Sequence, residues 1–323
     1  MGYDVLCAGS ATIDVFIDYN KRTRDIKSGE KVLISNLEKH TGGGANNSAT
    51  ALKKMGLKVK ALFKVGDDHD GELIGKELRN DGVKCLEVID KKHRTSFSAI
   101  LSSTKESDRT LYTFKGASDY LDWNDFNKKE LKGLKCIYLG TLLKNSFKVA
   151  IKLAKFAKDN KIELLFNPSS YLAKEGKIFL KPVLEATTIL VLNREEAKKL
   201  LGVKTNNVKE LSMSLMKCGP KLVIITEGPK GVNAYDGECL YSVKPYKVKV
   251  VHTAGAGDSF TSAFLAVYLK TKNIEKALRF GNANAASVIQ HYGTKHKLLS
   301  WREAENFIKK KKSKITKRCV MKK

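Results

Sequence analysis

Apolar and polar positions follow two different patterns along this chain. In its first third, several short segments alternate apolar and polar side chains, among them 15–20, 30–39, 96–101 and 109–114. Such alternation is typical of strands in a sheet that is exposed on one face. From about Leu134 onward, near-continuous apolar segments alternate with segments of helical periodicity. This second pattern indicates a parallel sheet that is covered by helices on both faces.

The pattern predicts an α/β fold with a large, mostly parallel sheet and a second, smaller sheet. The segment 83–89 is assigned to the small sheet together with the alternating segments. The other predicted strands are 3–9, 58–66, 136–140, 162–167, 188–192, 221–226 and 246–251, with a hairpin over 231–236 and 239–243. The predicted helices are one that ends at Gly56, then 71–80, 147–160, 194–201, 208–218, one beginning at about residue 260, 274–290 and 300–310.

Polar residues and glycines follow the ends of several predicted strands. Asn167, Asn193 and Thr226 each end a strand, Gly228 follows shortly afterwards, and a glycine-rich stretch at 254–258 follows the last one. The carboxyl ends of parallel strands meet at one edge of an open sheet, so one ligand could contact all of these positions. The sequence therefore predicts a ligand site at this edge.

The stretch 251–260 (VHTAGAGDSF) lies between a predicted strand and a predicted helix. Small residues let the backbone turn sharply, and the first amides of a helix attract a phosphate group. Asp258 would repel that phosphate, but it is well placed to take a proton from a hydroxyl that attacks a phosphoryl group. The alternative is that Asp258 is an ordinary first-turn acid and that the glycines only form a tight loop. Local chemistry favours neither interpretation.

A second glycine-rich stretch precedes the first predicted helix. Three glycines at 42–44 permit close approach of a ligand, and Asn46 and Asn47 add neutral amides that suit hydroxyl groups. The alternative is a glycine turn with an asparagine helix cap. We take the chemistry to favour a binding site for hydroxyl groups.

The 323 residues carry a formal net charge of +26, which attracts polyanions. The lysines are spread along predicted helix surfaces, however, without the arginine–aromatic pattern of a surface that reads bases. Charge is concentrated only after residue 308, in a segment that we interpret as a frayed helix end and a solvated tail, with nucleic-acid binding as a minority interpretation. No apolar segment approaches the roughly 20 residues that span a bilayer.

Six cysteines are scattered along the chain without a C-x-x-C pair: Cys7, Cys85, Cys136, Cys218, Cys239 and Cys319. The amino terminus lacks the basic region of a signal peptide. Together these features predict reduced core cysteines in a cytoplasmic protein, without a disulfide framework or a zinc site.

Four motifs resemble, in the same order, those of the PfkB, or ribokinase-like, carbohydrate kinases. They are Gly42 and Gly43 with Asn47, residues 193–196 (NREE), residues 225–231 (ITEGPKG) and residues 253–260 (TAGAGDSF). They match the family's N-terminal glycine pair, its N-x-x-E motif, its nucleotide-binding strand and loop, and its C-terminal signature. The resemblance extends over about 5–307. It implies a ribokinase-like kinase domain over 1–310, with lid strands within 15–39 and 96–119, followed by a basic tail at 311–323.

The resemblance implies transfer of the γ-phosphoryl group of ATP, with Mg²⁺, to a hydroxymethyl oxygen of a sugar such as ribose or of a nucleoside. Asp258 matches the catalytic base, and the amides of Gly255, Ala256 and Gly257 match the site that stabilises developing charge. Substrate contacts are implied for Asp14, Gly42, Gly43 and Asn47. Nucleotide and phosphate contacts are implied for Asn193, Glu196, Thr226, Gly228, Gly231 and Asn282, with Glu196 also in indirect contact with Mg²⁺. A homodimer through the lid is a further expectation.

Two other functions stay open at this point: a basic nucleic-acid-binding protein built on a kinase scaffold, and a catalytically silent regulator. The presence of Asp258 argues against the silent regulator. In the ribokinase subgroup an acidic residue binds ribose, and its position falls near Gly140 and Thr141 in this chain. The small residues would leave space for the bulky base of a nucleoside.

His252 stands directly before the threonine of the C-terminal signature, where the family often has an aspartate that helps to bind a monovalent cation. We predict that activation by potassium is weak or absent. Turnover at constant ionic strength should stay flat when potassium replaces a larger organic cation. A steep rise of turnover with potassium would contradict this prediction.

Overall fold

The computed structural model describes residues 2–106, 109–311 and 313–319. Its strands are β1 (Val5–Ala8), β2 (Thr12–Tyr19), β3 (Ile34–Gly42), β4 (Val59–Gly66), β5 (Lys84–Asp90), β6 (Ser96–Ser103), β7 (Arg109–Phe114), β8 (Cys136–Leu139), β9 (Glu163–Phe166), β10 (Ile189–Asn193), β11 (Leu222–Thr226), β12 (Val232–Tyr235), β13 (Cys239–Val243) and β14 (Ile315–Cys319). Its helices are α1 (Gly44–Lys54), α2 (His69–Asn80), α3 (Phe147–Asp159), α4 (Ser170–Leu184), α5 (Arg194–Leu201), α6 (Val208–Met216), α7 (Ala256–Thr271), α8 (Ile274–Val288) and α9 (Trp301–Lys310).

A ten-stranded sheet with the order β14-β13-β12-β11-β10-β9-β8-β1-β4-β5 forms the centre of the molecule. The strands from β11 to β5 are parallel, and β12, β13 and β14 are antiparallel. One apolar core lies between the sheet and α1, α2, α7 and α8, and a second lies between the other face and α3 to α6. Strand order reverses at β1, which pairs with both β4 and β8. Open α/β sheets bind ligands at the carboxyl ends of strands beside such a point.

A separate four-stranded sheet, with the order β3-β2-β6-β7, forms the lid. Its register places Asp14 of β2 between His40 of β3 and Ser98 of β6, so these three side chains share one face. Neighbouring positions on that face contact the main body, since Tyr292 donates a hydrogen bond to Asp18. The lid therefore presents its polar face towards the carboxyl edge of the large sheet.

Three parts of the predicted secondary structure were wrong. The segment predicted as 83–89 is β5, and it pairs with β4 in the large sheet, not with the lid strands. The segment 246–251 is an irregular loop in which Tyr246 and Val248 pack against α8 and α9, because β14 already occupies the edge beside β13. The pattern also missed α4, whose periodicity is interrupted by a kink at Gly176 and by Pro182.

Part of the segment expected to be a solvated tail is ordered, because residues 315–319 form strand β14 at the edge of the large sheet. Other parts of that expected tail, at 312 and 320–323, lie outside the described residues. Cys319 lies directly opposite Cys239 in the register of β13 and β14, and the two form a disulfide. The prediction that no disulfide forms was therefore wrong for this pair. Eighty positions separate the two cysteines, and only the pairing of the strands brings them together.

No helix among the described residues has both the length and the apolar character that crossing a membrane requires. The cytoplasmic location expected from the sequence stays a prediction.

Candidate active site

The amino terminus of α7 is held against a distant segment of the chain. Gly255 precedes the helix in the left-handed conformation, with φ of 76°, which favours glycine. A Cβ atom there would lie 2.3 Å from the carbonyl oxygen of Thr294. Glycine at this position therefore lets the loop pack directly on the backbone at Thr294, while the amides of Ala256 and Gly257 open the helix. A Cβ atom at Gly257 would meet no atom outside the helix within 4 Å, so this turn borders open space.

Asp258 lies in the first turn of α7 and contacts the stretch that carries the double glycine. The side-chain nitrogen Nδ2 of Asn47 donates a hydrogen bond of 2.8 Å to Asp258 Oδ2. Asn47 Oδ1 accepts one of 2.8 Å from the Thr294 hydroxyl. Asn47 is thus fixed in the orientation that presents its N–H to the carboxylate. Burial raises the pKa of Asp258, and the hydrogen bond from Asn47 opposes this shift. A carboxylate with a raised pKa is a better proton acceptor.

Asp14 lies beside the glycine pair, on the polar face of the lid. A Cβ atom on Gly42 would lie 2.0 Å from Asp14 Oδ2, and one on Gly43 would lie 2.5 Å from the carbonyl oxygen of Ser10. Glycine at these two positions therefore lets the end of β3 pack against Asp14 of β2 and lets the start of α1 pack on the backbone after β1. Burial raises the pKa of Asp14 to about 6, the hydrogen bond from Ser98 lowers it, and the negative charge of Asp258 raises it further.

A cavity of about 620 Å³ adjoins the amino terminus of α7. Ala256, Gly257 and Phe260 form one side of it. Four residues for which nucleotide contacts were expected, in the loop that follows β11 and in α8, also line this cavity: Thr226, Gly228, Gly231 and Asn282. Apolar side chains that the motifs did not indicate complete the wall: Val232, Tyr246, Val248, Val250 and Ile289. Asn282 is oriented by its hydrogen bond of 2.7 Å to the carbonyl oxygen of Lys244.

Asn193 and Glu196 form a capping box at the start of α5. Asn193 Oδ1 accepts a hydrogen bond from the backbone amide of Glu196, and Glu196 Oε2 accepts one from the amide of Asn193, both of 2.8 Å. Burial raises the pKa of Glu196, and the negative charge of Asp258 adds to that shift. A lone carboxylate that already caps a helix fits an Mg²⁺ ion that is held mainly by phosphate oxygens and water. Among the described residues, no group of three or more acidic, histidine or cysteine side chains forms a cage for a metal.

His252 is buried at the entrance to the glycine-rich loop. Its Nδ1 accepts a hydrogen bond of 3.1 Å from the backbone amide of Ala254. Burial lowers the pKa of His252 to about 4, and the nearby charge of Arg109 acts in the same direction. The ring is therefore neutral near neutral pH and supports the loop as a hydrogen-bond acceptor, without a negative charge for a cation.

Sequence reasoning missed several residues that lie at this site. Thr294 comes from an irregular segment between α8 and α9, where no periodicity or motif draws attention to it. Arg109 of the lid donates a hydrogen bond of 2.5 Å to the hydroxyl of Thr253, the first residue of the glycine-rich signature. The charge of Arg109 was visible in the sequence, but its reach across the cleft depends on how the lid packs.

The comparison with known families decides the broader identity. The sequence model of the family described as "pfkB family carbohydrate kinase" matches residues 3–301 of this chain. The chain belongs to this family. Its relatives include the 5-dehydro-2-deoxygluconokinases of Halalkalibacterium halodurans, 29% identical over 323 residues with 95% of each chain covered, and of Clostridium perfringens, 31% identical over 293 residues with 86% of each covered. The protein is therefore a sugar kinase, a phosphotransferase with an alcohol group as acceptor.

Solved structures confirm the ribokinase-like fold of this kinase. The nucleoside kinase of Methanocaldococcus jannaschii superimposes with a TM-score of 0.81 at 22% identity, covering 96% of this chain and 100% of that one. The ribokinase of Arabidopsis thaliana, complexed with ribose and ATP, superimposes with a TM-score of 0.79 at 22% identity, covering 96% and 99%. At this identity the likeness shows the fold and leaves the substrate open.

We expect Asp14→Asn to stabilise the fold of this kinase near neutral pH. A pKa raised from 3.8 to about 6 means that ionising the buried carboxyl costs stability as pH rises through this interval. Since one pKa unit corresponds to about 1.4 kcal/mol, the variant should gain up to about 3 kcal/mol in free energy of unfolding above pH 6 and little near pH 4. Urea unfolding at both pH values measures this difference. Asp159→Asn, on an exposed carboxylate, is the control, and an advantage of Asp14→Asn that does not vary with pH would contradict the assignment.

Proposed function

We propose that this kinase transfers the γ-phosphoryl group of ATP, with Mg²⁺, to the hydroxymethyl oxygen of a sugar acid resembling 5-dehydro-2-deoxygluconate. The observation that carries the proposal is the juxtaposition of Asp258, Asn47 and the glycine pair beside a cavity at the start of α7. A hydroxyl bound next to Asp258 would face the amides that open this helix. The choice of acceptor follows the relatives of about 30% identity, which are 5-dehydro-2-deoxygluconokinases.

Ribose and nucleosides, which the sequence suggested, are less well supported as acceptors. A Cβ atom at Gly140 would contact the carbonyl oxygen of Ala8 at 3.5 Å and the backbone of Gly44 at 3.9 Å. The side of Gly140 is thus occupied by the start of α1. The space for a base that its small size suggested is therefore bounded on this side by α1.

In the proposed reaction, Asp258 takes the proton of the attacking hydroxyl. Its raised pKa suits this role, and the hydrogen bond from Asn47 keeps the carboxylate in place. The backbone amides of Gly255, Ala256 and Gly257, together with the positive end of the α7 dipole, would stabilise negative charge on the transferred group. Asp14 and the backbone of Gly42 and Gly43 would hold the sugar hydroxyls. The protein mainly positions two reactants and excludes water.

The cavity of about 620 Å³ is the proposed site of the nucleotide. Its apolar wall would cover the base, and Thr226, Gly228, Gly231 and Asn282 supply polar or close backbone contacts. Asn193 and Glu196 would hold water molecules of a bound Mg²⁺, which supplies charge neutralisation for the phosphates when present. A carboxylate held by a helix cap suits such indirect contact.

Asp258→Asn is expected to lower kcat by about 10³-fold, because general-base catalysis typically contributes about 10²–10⁴. The affinity for ATP should change little, since removing a negative charge does not disturb the cavity. A coupled assay of ADP release and calorimetric titration with MgATP measure the two quantities. Asp159→Asn, on the exposed end of α3, should leave both unchanged. Near-normal turnover of Asp258→Asn would remove this residue from its assigned role.

We further propose that the lid binds a second copy of this chain. Its outer face carries Leu37, Tyr112 and Phe114, which the strand register places on the side opposite Asp14 and which are 60%, 63% and 54% exposed. Contiguous exposed apolar side chains mark interaction surfaces, and one face can pair with itself across a two-fold axis.

The double variant Leu37→Asp, Tyr112→Asp should convert a dimer into a monomer, because it places a charge on each of the two outer strands, β3 and β7, of this face. Sedimentation equilibrium at micromolar concentrations measures the mass. Ile178→Asp, on an exposed apolar residue of α4, is the matched control and should stay dimeric. A wild-type protein that sediments as a monomer would exclude the proposed dimer.

A further inference from the structure

Lys115 follows the last strand of the lid and lies beside the sugar site. Its backbone is fixed, since its carbonyl oxygen accepts hydrogen bonds from the hydroxyl of Ser96 at 2.5 Å and from the amide of Ser118 at 3.1 Å. Its half-buried ammonium lies 4.9 Å from the ring centre of Tyr171, at the start of α4. Among the residues that the structure describes, no ion pair or hydrogen bond of this ammonium is found.

The acid nearest in sequence does not neutralise Lys115. Asp119 is almost completely buried, and its carboxylate forms an ion pair of 2.8 Å with Lys144. Burial lowers the pKa of Lys115, which shows that its charge is maintained at some cost, although nearby Tyr171, Asp119 and Asp14 oppose the shift. A half-buried cation whose direct partner, within the described part of the chain, is an aromatic ring is poorly compensated. It is well suited to an anion that arrives with a ligand.

The charges of the sugar site point to the same conclusion. Asp14 lies within electrostatic reach of both Asp258 and Lys115, so the positive group borders a site that already contains two carboxylates. A neutral sugar needs no cation there. A substrate with its own carboxylate would be repelled by Asp14 and Asp258 unless a positive group received it.

We propose that Lys115 binds the carboxylate of a sugar-acid substrate and thereby selects acids over neutral sugars. This inference rests on the proposed function, because it takes the hydroxymethyl end of the same substrate to lie at Asp258. Tyr171 holds the ammonium through its ring, and Lys144 keeps Asp119 from competing for it. Recognition of the carboxylate depends on the position and charge of the ammonium, and it involves no covalent step.

The test compares an acid with a neutral ketose that carries the same hydroxymethyl ketone group. For Lys115→Met we expect KM for 5-dehydro-2-deoxygluconate to rise about 30-fold or more, while kcat changes by less than about threefold. For D-fructose, kcat/KM should change by less than about threefold. Lys115→Arg should recover part of the affinity for the acid, and Lys148→Met, which removes an exposed charge on α3, controls for long-range electrostatics.

A binding measurement separates recognition from turnover. In the Asp258→Asn background, calorimetric titration with the acid should show the same loss of affinity when Lys115→Met is added. Equal use of the acid by wild type and Lys115→Met would overturn the inference and leave the proposed kinase activity intact. Equal loss for acid and ketose would also overturn it, since Lys115 would then only support the fold of the lid. If the wild type phosphorylates neither sugar, the proposed function itself fails.

Discussion

The hydrogen bond between Asn47 and Asp258 joins two helices whose residues lie 211 positions apart. Each helix follows a glycine with a positive φ, at Gly43 and at Gly255, so each can begin within contact distance of another backbone. Thr294 completes the link by donating to Asn47. Through this contact, the amino termini of α1 and α7 point to one place, and the acid at that place is kept partly out of water. The lid, the cavity beside α7 and the polar strand ends are all arranged around it.

Burial determines how readily the acidic side chains of this cleft take up a proton. Asp14, Glu196 and Asp258 all have raised pKa values, and in each case burial is the main cause. Carboxylates in such surroundings are costly for the fold and useful for binding hydroxyl groups or taking a proton. The chain as a whole has a net charge of +26, whereas its reaction centre concentrates negative charge. In the proposed reaction, a nucleotide would depend on backbone amides more than on side-chain cations, and an acidic substrate would need a cation such as Lys115.

The lid illustrates how much of the molecule follows from local pattern. Alternation of apolar and polar residues predicted β2, β3, β6 and β7, and the same alternation separates the polar face around Asp14 from the apolar face around Leu37. The pattern assigned 83–89 to the same sheet, yet that segment pairs with β4. Periodicity describes which faces of a strand are buried and contains no information about its neighbour. For the same reason α4 escaped notice, although its Tyr171 lies 4.9 Å from the ammonium of Lys115.

The sequence by itself determined the family, the parallel sheet and the glycine-rich turns, because these depend on short-range spacing and on residue types that few other structures require. Four residues for which the family resemblance implied nucleotide contacts, Thr226, Gly228, Gly231 and Asn282, line one cavity, and their role there stays a prediction. Only the tertiary structure decided that Thr294 supports Asn47, that Cys239 faces Cys319, and that Lys144, and not Lys115, forms the ion pair with Asp119. These relations join residues that are far apart in sequence or compete for one partner, and they exist only once the chain has packed.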